Sequence, residues 1–515
     1  HADPEKAGKD KVVFAVIATS SLQAADQLYG MGWPWRRKYY GRLTELAALC
    51  GARAVVMDMI FSERSVYRVS EGPPWVPEDD DALLAAALRA GGRTVLGFGG
   101  TDVRQTPRPF PARHALPPAT ADGQVPVHEL SGVLAPLPAL ADSAAALGYF
   151  SAAPDRDGLI RRVSPLVRYG GGLYPGLALA AWRLAHPGQP LRLEAGGLVA
   201  GRARLPLDRQ GRLRLRYHGD NNVYYDCNII YAFLALDKMK RHHAEFSRLK
   251  GGTPPLTLEQ VARSRAAYSM MLDDLNTAWL GDYRIRFRAR TGVPLPAVPE
   301  GKNGADPEVM LPLIAGLPDA VLARLGEPAL LKKDPAQLAA ALNRAGLDFD
   351  PRTPPTLGIK LWRREGKIVK REPLYPWLLK DAFVILGGTS AGLRDIVATP
   401  FNAMEAGMHI HATLLDNLLQ GQAIRELESP LLALLLILLA AAGTAWAGYA
   451  LSARGLVLAA LAGLLLLAGG SLLLAGGGTI LFPVAPCFAL LAAFLTATTV
   501  NRIRERQQKQ YLHHA

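Results

Sequence analysis

Apolar positions follow two rhythms along this chain. In the first, short runs rich in β-branched residues sit between turn residues: Lys11 to Thr19 reads KVVFAVIAT, Ala54 to Phe61 AVVMDMIF and Thr94 to Phe98 TVLGF. Unbroken runs of this length predict strands buried on both faces, because a half-exposed strand alternates apolar with polar. Between them, Tyr40, Leu43, Leu46, Ala47 and Cys50 recur at helical spacing within Arg37 to Cys50, and Gly51 follows as a C-cap. Asp79 to Ala90 opens on acids, which suit the positive end of a helix dipole, and Gly92 closes it. This alternation of strand and helix predicts an α/β fold, a mostly parallel sheet flanked by helices and joined by right-handed crossovers. A further strand, Phe383 to Leu386, leads through a Gly-rich loop and an extended His409–Ile410 into a helix at Ala412 to Gln420.

The second rhythm is unbroken hydrophobicity. Residues 431–451, 455–474 and 479–500 carry no Asp, Glu, Lys or Arg, and each is about the ~20 residues needed to cross ~30 Å of hydrocarbon as a helix. Three spans within 429–500 predict an all-α membrane bundle, so the lipid bilayer is the first partner. Arg454 marks the first turn, and Arg502, Arg504, Arg506 and Lys509 follow the third span. Lys and Arg accumulate on the cytoplasmic side, which places residues 1–425 outside, and 501–515 inside as the start of a linker helix. Export of such a domain calls for a signal or a membrane helix ahead of residue 1. Pro483 and Pro486 either kink the third span or mark its interfacial start.

Composition changes this picture little. Half of the 515 residues are hydrophobic and 20% are charged, which excludes a disordered chain, and three Cys exclude a disulfide-stapled scaffold. Cys487 falls in a span, while Cys50 and Cys227 share an oxidising compartment in which a bridge depends on their separation. A net charge of +13 would nominate nucleic acid, but an outside location for most of the basic residues removes that partner.

Several elements stand in a definite order: GWPWRR from Gly32, GARAVVMDMIFSE from Gly51, EDDDALLAAAL from Glu78, GYFSAAPDRDGLIRRV from Gly148, and VILGGTSAGLRDIVATPFNAMEAGMHIHATLLDNLL from Val384. With three membrane helices behind them, they resemble the CHASE family, type two: extracytoplasmic sensory domains of bacterial nucleotide cyclases, histidine kinases and Ser/Thr kinases. The resemblance covers Lys11 to Tyr225 and Trp377 to Val500. Its most specific parts are WPW-R, D-x-DG-x-x-R-R, and G-x-T-x-x-G-x-x-D followed by HA-x-x-x-D-x-LL. It implies a multi-pass protein of the bacterial inner membrane, a homodimer, and an extracytoplasmic ligand or envelope-protein partner of unknown identity. Two departures stand out. Ala18 occupies the place where the family has an acid after the first strand, and an insertion of mainly helical pattern runs from about Lys238 to about Leu374. The insertion reads as an accessory subdomain at the edge of the sheet.

The candidate ligand-binding residues are Trp33, Trp35, Arg36, Asp58, Gly388, Thr389 and Asp395. The two tryptophans and Arg36 lie between a strand and a helix, where open sheets bind ligands, and offer an apolar face and a planar cationic fork. The same residues also suit a packing wedge. Asp58 is costly to bury unpaired, so it meets Arg36 or another base, or faces the strand end. Gly388, Thr389 and Asp395 belong to a loop whose backbone N–H groups suit an anion, although it lacks both the lysine and the glycine spacing of a nucleotide loop. Asp155 and Asp157 read as turn residues before Gly158. His409 and His411 share a side of an extended segment but have no third ligand nearby. No catalytic constellation, metal site or cofactor site is read.

The expected role is therefore a transmembrane receptor signalling to a cytoplasmic output, first a class III nucleotide cyclase and next a kinase, on the short likeness of RIRERQQKQYLHHA to a cyclase-entry linker. The alternative is an assembly or adhesion module anchored by the same helices.

Overall fold

The structure is a computed structural model that describes residues 12–70, 72–101, 110–117, 125–194, 197–219, 224–300, 302, 306–347, 356–364, 367–390, 395–427, 429–481 and 484–514. Strand β1 (Val12–Ile17) is buried along its whole length, as its unbroken apolar run requires. Helix α1 (Thr19–Tyr29) follows, then α2 (Arg37–Cys50) and β2 (Ala54–Met57). The chain continues through α3 (Asp80–Gly91) and β3 (Thr94–Thr101) to two short strands, β4 (Gly132–Leu134) and β5 (Ala146–Tyr149). Both helix ends read from glycine are present: Gly51 and Gly92 sit in the left-handed region at φ 77° and 61°. Asp79 is the N-cap of α3, its carboxylate accepting from the N–H groups of Asp81 and Ala82.

Helix α4 (Leu177–Ala185), strand β6 (Tyr225–Asn228), helices α5 (Ile229–Leu249) and α6 (Arg265–Thr291), and strand β7 (Phe383–Gly388) complete the frame. The seven strands form one sheet in the order β6–β1–β7–β2–β3, with β4 antiparallel and β5 parallel to β3. All other pairings are parallel, including β7 with both β1 and β2. The two faces are separate cores. Val13, Ala15 and Ile17 pack with Leu43, Leu46 and Leu88, whereas Val12, Phe14 and Val16 pack with Leu179 and Leu415.

The insertion is less separate than its composition suggests. α5 begins as soon as edge strand β6 ends, and within the insertion Met239 and Phe246 of α5 and Tyr268, Met271 and Leu275 of α6 enter the main core. Only the later part builds its own small core, around Tyr283, Phe287, Met310, Ile314 and Leu338. It also contains a β-hairpin, Gly358–Arg364 with Lys367–Leu374, which the helical pattern did not suggest.

Helix α7 (Met408–Gln420) starts earlier than the sequence predicts, so His409 and His411 are helical rather than extended. Strand β8 (Arg425–Glu426) follows, then three membrane-length helices: α8 (Pro430–Ala450), α9 (Ala453–Gly476) and α10 (Val484–His514). The third begins later than expected because β9 (Thr479–Ile480) pairs in parallel with β8. Pro486 therefore lies in the first turn of α10, where a missing N–H breaks no helical bond; Pro483 lies outside the described residues. The former linker region continues α10 without a break through Asn501, whose side chain donates to the Gly448 carbonyl of α8.

β5 approaches α4 so closely that a Cβ on Gly148 would meet the Leu177 backbone. Gly148→Ala is expected to destabilise the domain by about 1–3 kcal/mol, the cost of overpacking a filled core, as measured by chemical denaturation of the purified chain. An unchanged midpoint would show that β5 and α4 can separate freely.

Candidate functional site

The residues of the WPW-R element are held by other parts of the fold. Trp35 is buried with its ring 6.5 Å from Phe233, while Trp33 is 42% exposed and meets Trp35 edge-on. Arg36 is buried and reaches Asp80 at 2.8 Å and Glu78 at 2.6 Å, with its guanidinium over the Tyr67 ring. Arg37 pairs with Asp81 at 2.5 Å. These two arginines thus tie the start of α2 to the start of α3, and Arg36 pairs with Glu78 and Asp80 rather than with Asp58. The Asp80 and Asp81 carboxylates serve as counterions here, besides lying at a helix N-terminus.

The other candidates meet at the C-terminal edge of the sheet. Asp58 immediately follows β2, and its N–H still donates to Leu386 on β7. Gly388 ends β7, and the Thr389 N–H donates to the Ile17 carbonyl at the end of β1. Ser390 and Thr19 bring their hydroxyls to 3.3 Å. Ala391 to Arg394 lie outside the described residues. Asp395 then sits against the first turn of α7: the Gly407 N–H donates to its carbonyl, and a Cβ on Gly407 would overlap its carboxylate. His411, on the next part of α7, places Nε2 3.7 Å from Asp58 Oδ1.

Burial dominates the electrostatics of this trio. The Asp58 side chain is 7% exposed, and desolvation pushes its carboxyl up to about 7. Asp395 is pushed up to about 6, first by burial and then by the neighbouring Asp58 charge, against the opposing effect of His411. Burial lowers the His411 imidazole to about 4, despite Asp395 and a hydrogen bond to the Phe150 backbone. At neutral pH the histidine is uncharged and the two carboxyls stand near their own titration. Ala18, where the resemblance places an acid, lies on the same edge; its N–H donates to Ser21 Oγ at the start of α1.

Helical geometry separates the two histidines, because residues two apart face different sides of a helix. His409 turns towards Glu405, Nδ1 to Oε2 at 3.4 Å, between the rings of Tyr217 and Tyr224. The pair does not form the shared-side arrangement expected from an extended segment, and no cluster of three metal-ligating side chains occurs among the described residues. His411 is the residue that sequence reasoning missed as a partner of Asp58. The HA-x-x-x-D element pointed at it, but only the helical register shows which way it faces.

A third cluster lies where the outer domain joins the bundle. Asp155 and Asp157 form the expected turn, with Arg161 holding Asp157 at 2.7 Å and its carboxyl down at about 2. Arg162 reaches back to Asp155 at 2.8 Å and forward to Glu426 on β8 at 2.7 Å. Arg214 pairs with the same Glu426, whose side chain is 5% exposed. On either side of Glu426, the N–H groups of Arg425 and Leu427 donate to Gly478 and Ile480 in the α9–α10 connection. Asn417, near the end of α7, exchanges two hydrogen bonds with the Arg216 backbone.

The model of the CHASE2 domain matches residues 2–248 and 329–447. The chain belongs to the CHASE2 family. The match omits 249–328, a stretch within the insertion, and extends into the first membrane helix. Comparison with curated proteins and with solved structures gave no match. A CHASE2 sensory domain with three membrane-length helices fits a transmembrane sensor.

The sign of the pH effect at Asp58 follows from its raised carboxyl. Between about pH 4 and pH 7 the folded CHASE2 domain retains a proton that the unfolded chain has released, so this group's contribution to stability is lost as pH rises through that window. Asp58→Asn keeps the shape without titrating. Relative to the wild type it is expected to gain up to about 4 kcal/mol across that range, read as the difference between two denaturation series in detergent. A difference independent of pH would mean that Asp58 titrates as an ordinary surface acid.

Proposed function

We propose that this chain is the sensory and membrane-spanning part of a bacterial receptor of the inner membrane. Its α/β domain lies outside the cytoplasm, and α10 carries the signal inward to a class III nucleotide cyclase. The observation that supports this reading most is the joint at Glu426. A structurally independent anchor needs only a flexible tether, whereas here the outer domain grips the bundle through a charge-assisted pair of arginines and two backbone hydrogen bonds. A rearrangement of the domain therefore has a stiff route to the α9–α10 connection, and α10 continues from there as one helix beyond Asn501.

The orientation rests on charge. Arg454 flanks the first turn and Arg502, Arg504, Arg506 and Lys509 follow the third span, whereas the Gly476–Thr479 connection has no basic residue. The dimer is supported by the helices themselves. No more than 17% of any spanning window is buried by protein, leaving broad apolar faces for lipid or for a second copy. The strand-end cluster of Asp58, Thr389, Asp395 and His411 is the proposed stimulus site, at the position where open parallel sheets bind ligands. A signal requires the ligand to favour one of two arrangements, and α7 runs from this cluster towards the joint, about 20 Å at 1.5 Å per residue.

The test is cyclic nucleotide formation by the native gene product, including whatever is encoded after Ala515, in cells lacking their own cyclase. Production of cyclic AMP or cyclic GMP is expected, with Glu426→Gln changing the rate at least several-fold while membrane insertion is retained. A product without cyclase activity would overturn the assigned output, and a Glu426→Gln rate equal to wild type would overturn the joint as the route.

A further inference from the structure

Arginines gather where the outer domain meets the lipid. A cavity of about 220 Å³ is lined by Arg209, Arg212, Arg214 and Arg425, with only two acids, Asp208 and Glu426, among them. Arg425 and Glu426 form β8, so one wall of the cavity is the joint itself. That wall stands at the membrane surface. The first span begins at Leu431 and the second ends at Gly476, and β8 pairs with Thr479 and Ile480 just beyond that end.

Both acids are engaged by the protein. Asp208 accepts from the backbone N–H groups of Gln210 and Arg212 through Oδ1, and pairs with Arg212 Nε at 2.9 Å through Oδ2. Glu426 is held by Arg162 at 2.7 Å and by Arg214. The two carboxylates are thus buried in the walls, whereas Arg209 and Arg425 are exposed. A further guanidinium, that of Arg216, approaches the α9–α10 connection, where a Cβ on Gly478 would lie 3.6 Å from its Nη1.

We infer that this cavity binds the phosphate of an anionic phospholipid headgroup. A guanidinium presents its donors as a planar fork that matches two phosphate oxygens, and it gives up water more readily than an ammonium. The volume is below the ~300–1,000 Å³ of pockets for drug-sized ligands, and suits a phosphate with its glycerol. Attraction of anionic lipid to basic residues acts only within about a Debye length of the surface, and β8 lies at that range. Inorganic phosphate has the same chemistry, but the bilayer supplies the lipid form at the mouth of the site. Such a site requires only the spans and the joint, so its failure leaves the assigned output untouched.

The experiment is native mass spectrometry of the full chain released from nanodiscs of equal phosphatidylglycerol and phosphatidylcholine. Phosphatidylglycerol is expected to be retained at least about fivefold over phosphatidylcholine, the effect of roughly one arginine–headgroup contact. Arg209→Gln combined with Arg425→Gln is expected to abolish that preference. Each is also tested alone, so that a poorly folding pair does not decide the matter. Arg502→Gln with Arg504→Gln, which removes charge at the far end of α10, is expected to leave the most tightly held lipid in place. Retention that survives loss of Arg209 and Arg425 but falls with Arg502 and Arg504 would overturn the cavity as the site. Equal retention of the two lipids would overturn the anionic headgroup. Binding of added inorganic phosphate with the same dependence on Arg209 and Arg425, and no preference between lipids, would overturn the lipid as its source.

Discussion

The placement of β7 between β1 and β2 is the constraint on which the rest of the fold depends. This strand comes from the last part of the outer domain, yet it pairs along its length with β1 and along most of it with β2. Without it those two strands have no partner on their facing edges, and neither apolar core closes. Parallel pairing also fixes direction: the ends of β1, β2 and β7 must all emerge on one edge. Asp58, Thr389 and the approach to Asp395 are therefore brought together by register, across more than three hundred positions of chain.

The same strand determines how the domain meets the membrane. After β7 the chain can only return across the opposite face, which it does as α7, with almost every residue buried. The first turn of that helix carries Asp395's neighbour Gly407 and then His411; its end carries Asn417, bound to the Arg216 backbone, and leads to Glu426. One helix thus runs from the strand-end carboxyls to the Arg216 backbone, and the chain leads on from its end to the segment gripped by Arg162 and Arg214. A buried ion pair is weak evidence of stability, because desolvation offsets much of the attraction. Its geometry is better evidence of position: Glu426 is held from two sides, so β8 and its partner β9 follow the domain.

How much of this could be read beforehand depends on range. The membrane helices, α2 with its Gly51 cap and the Asp79-led α3 are written in local spacing, and their observed bounds lie within a few residues of expectation except at α10. That exception has a long-range cause, since Thr479 and Ile480 are drawn into pairing with Arg425 and Glu426. The position of β7 within the sheet was not legible, because a buried strand carries no label for its neighbours. For the same reason local sequence allows Asp58 to meet Arg36, although Arg36 is occupied by Glu78 and Asp80. Arg162 and Glu426 lie 264 positions apart, and nothing in either local sequence announces their contact. The two histidines differ from expectation by period: an extended segment puts positions two apart on one side, whereas a helix divides them.

The most direct measurement of the link between the strand ends and the membrane is amide hydrogen exchange at Arg425 and Leu427 in nanodiscs. Their N–H groups donate to Gly478 and Ile480 and so report the β8–β9 joint itself. At pH 8, removing the buried charge by Asp58→Asn is predicted to change protection at these two amides at least several-fold, while Leu347, which donates to Leu342 in the separate insertion core, stays the same. Equal protection at Arg425 and Leu427 in the two proteins would contradict a connection between the sensory edge and the bundle.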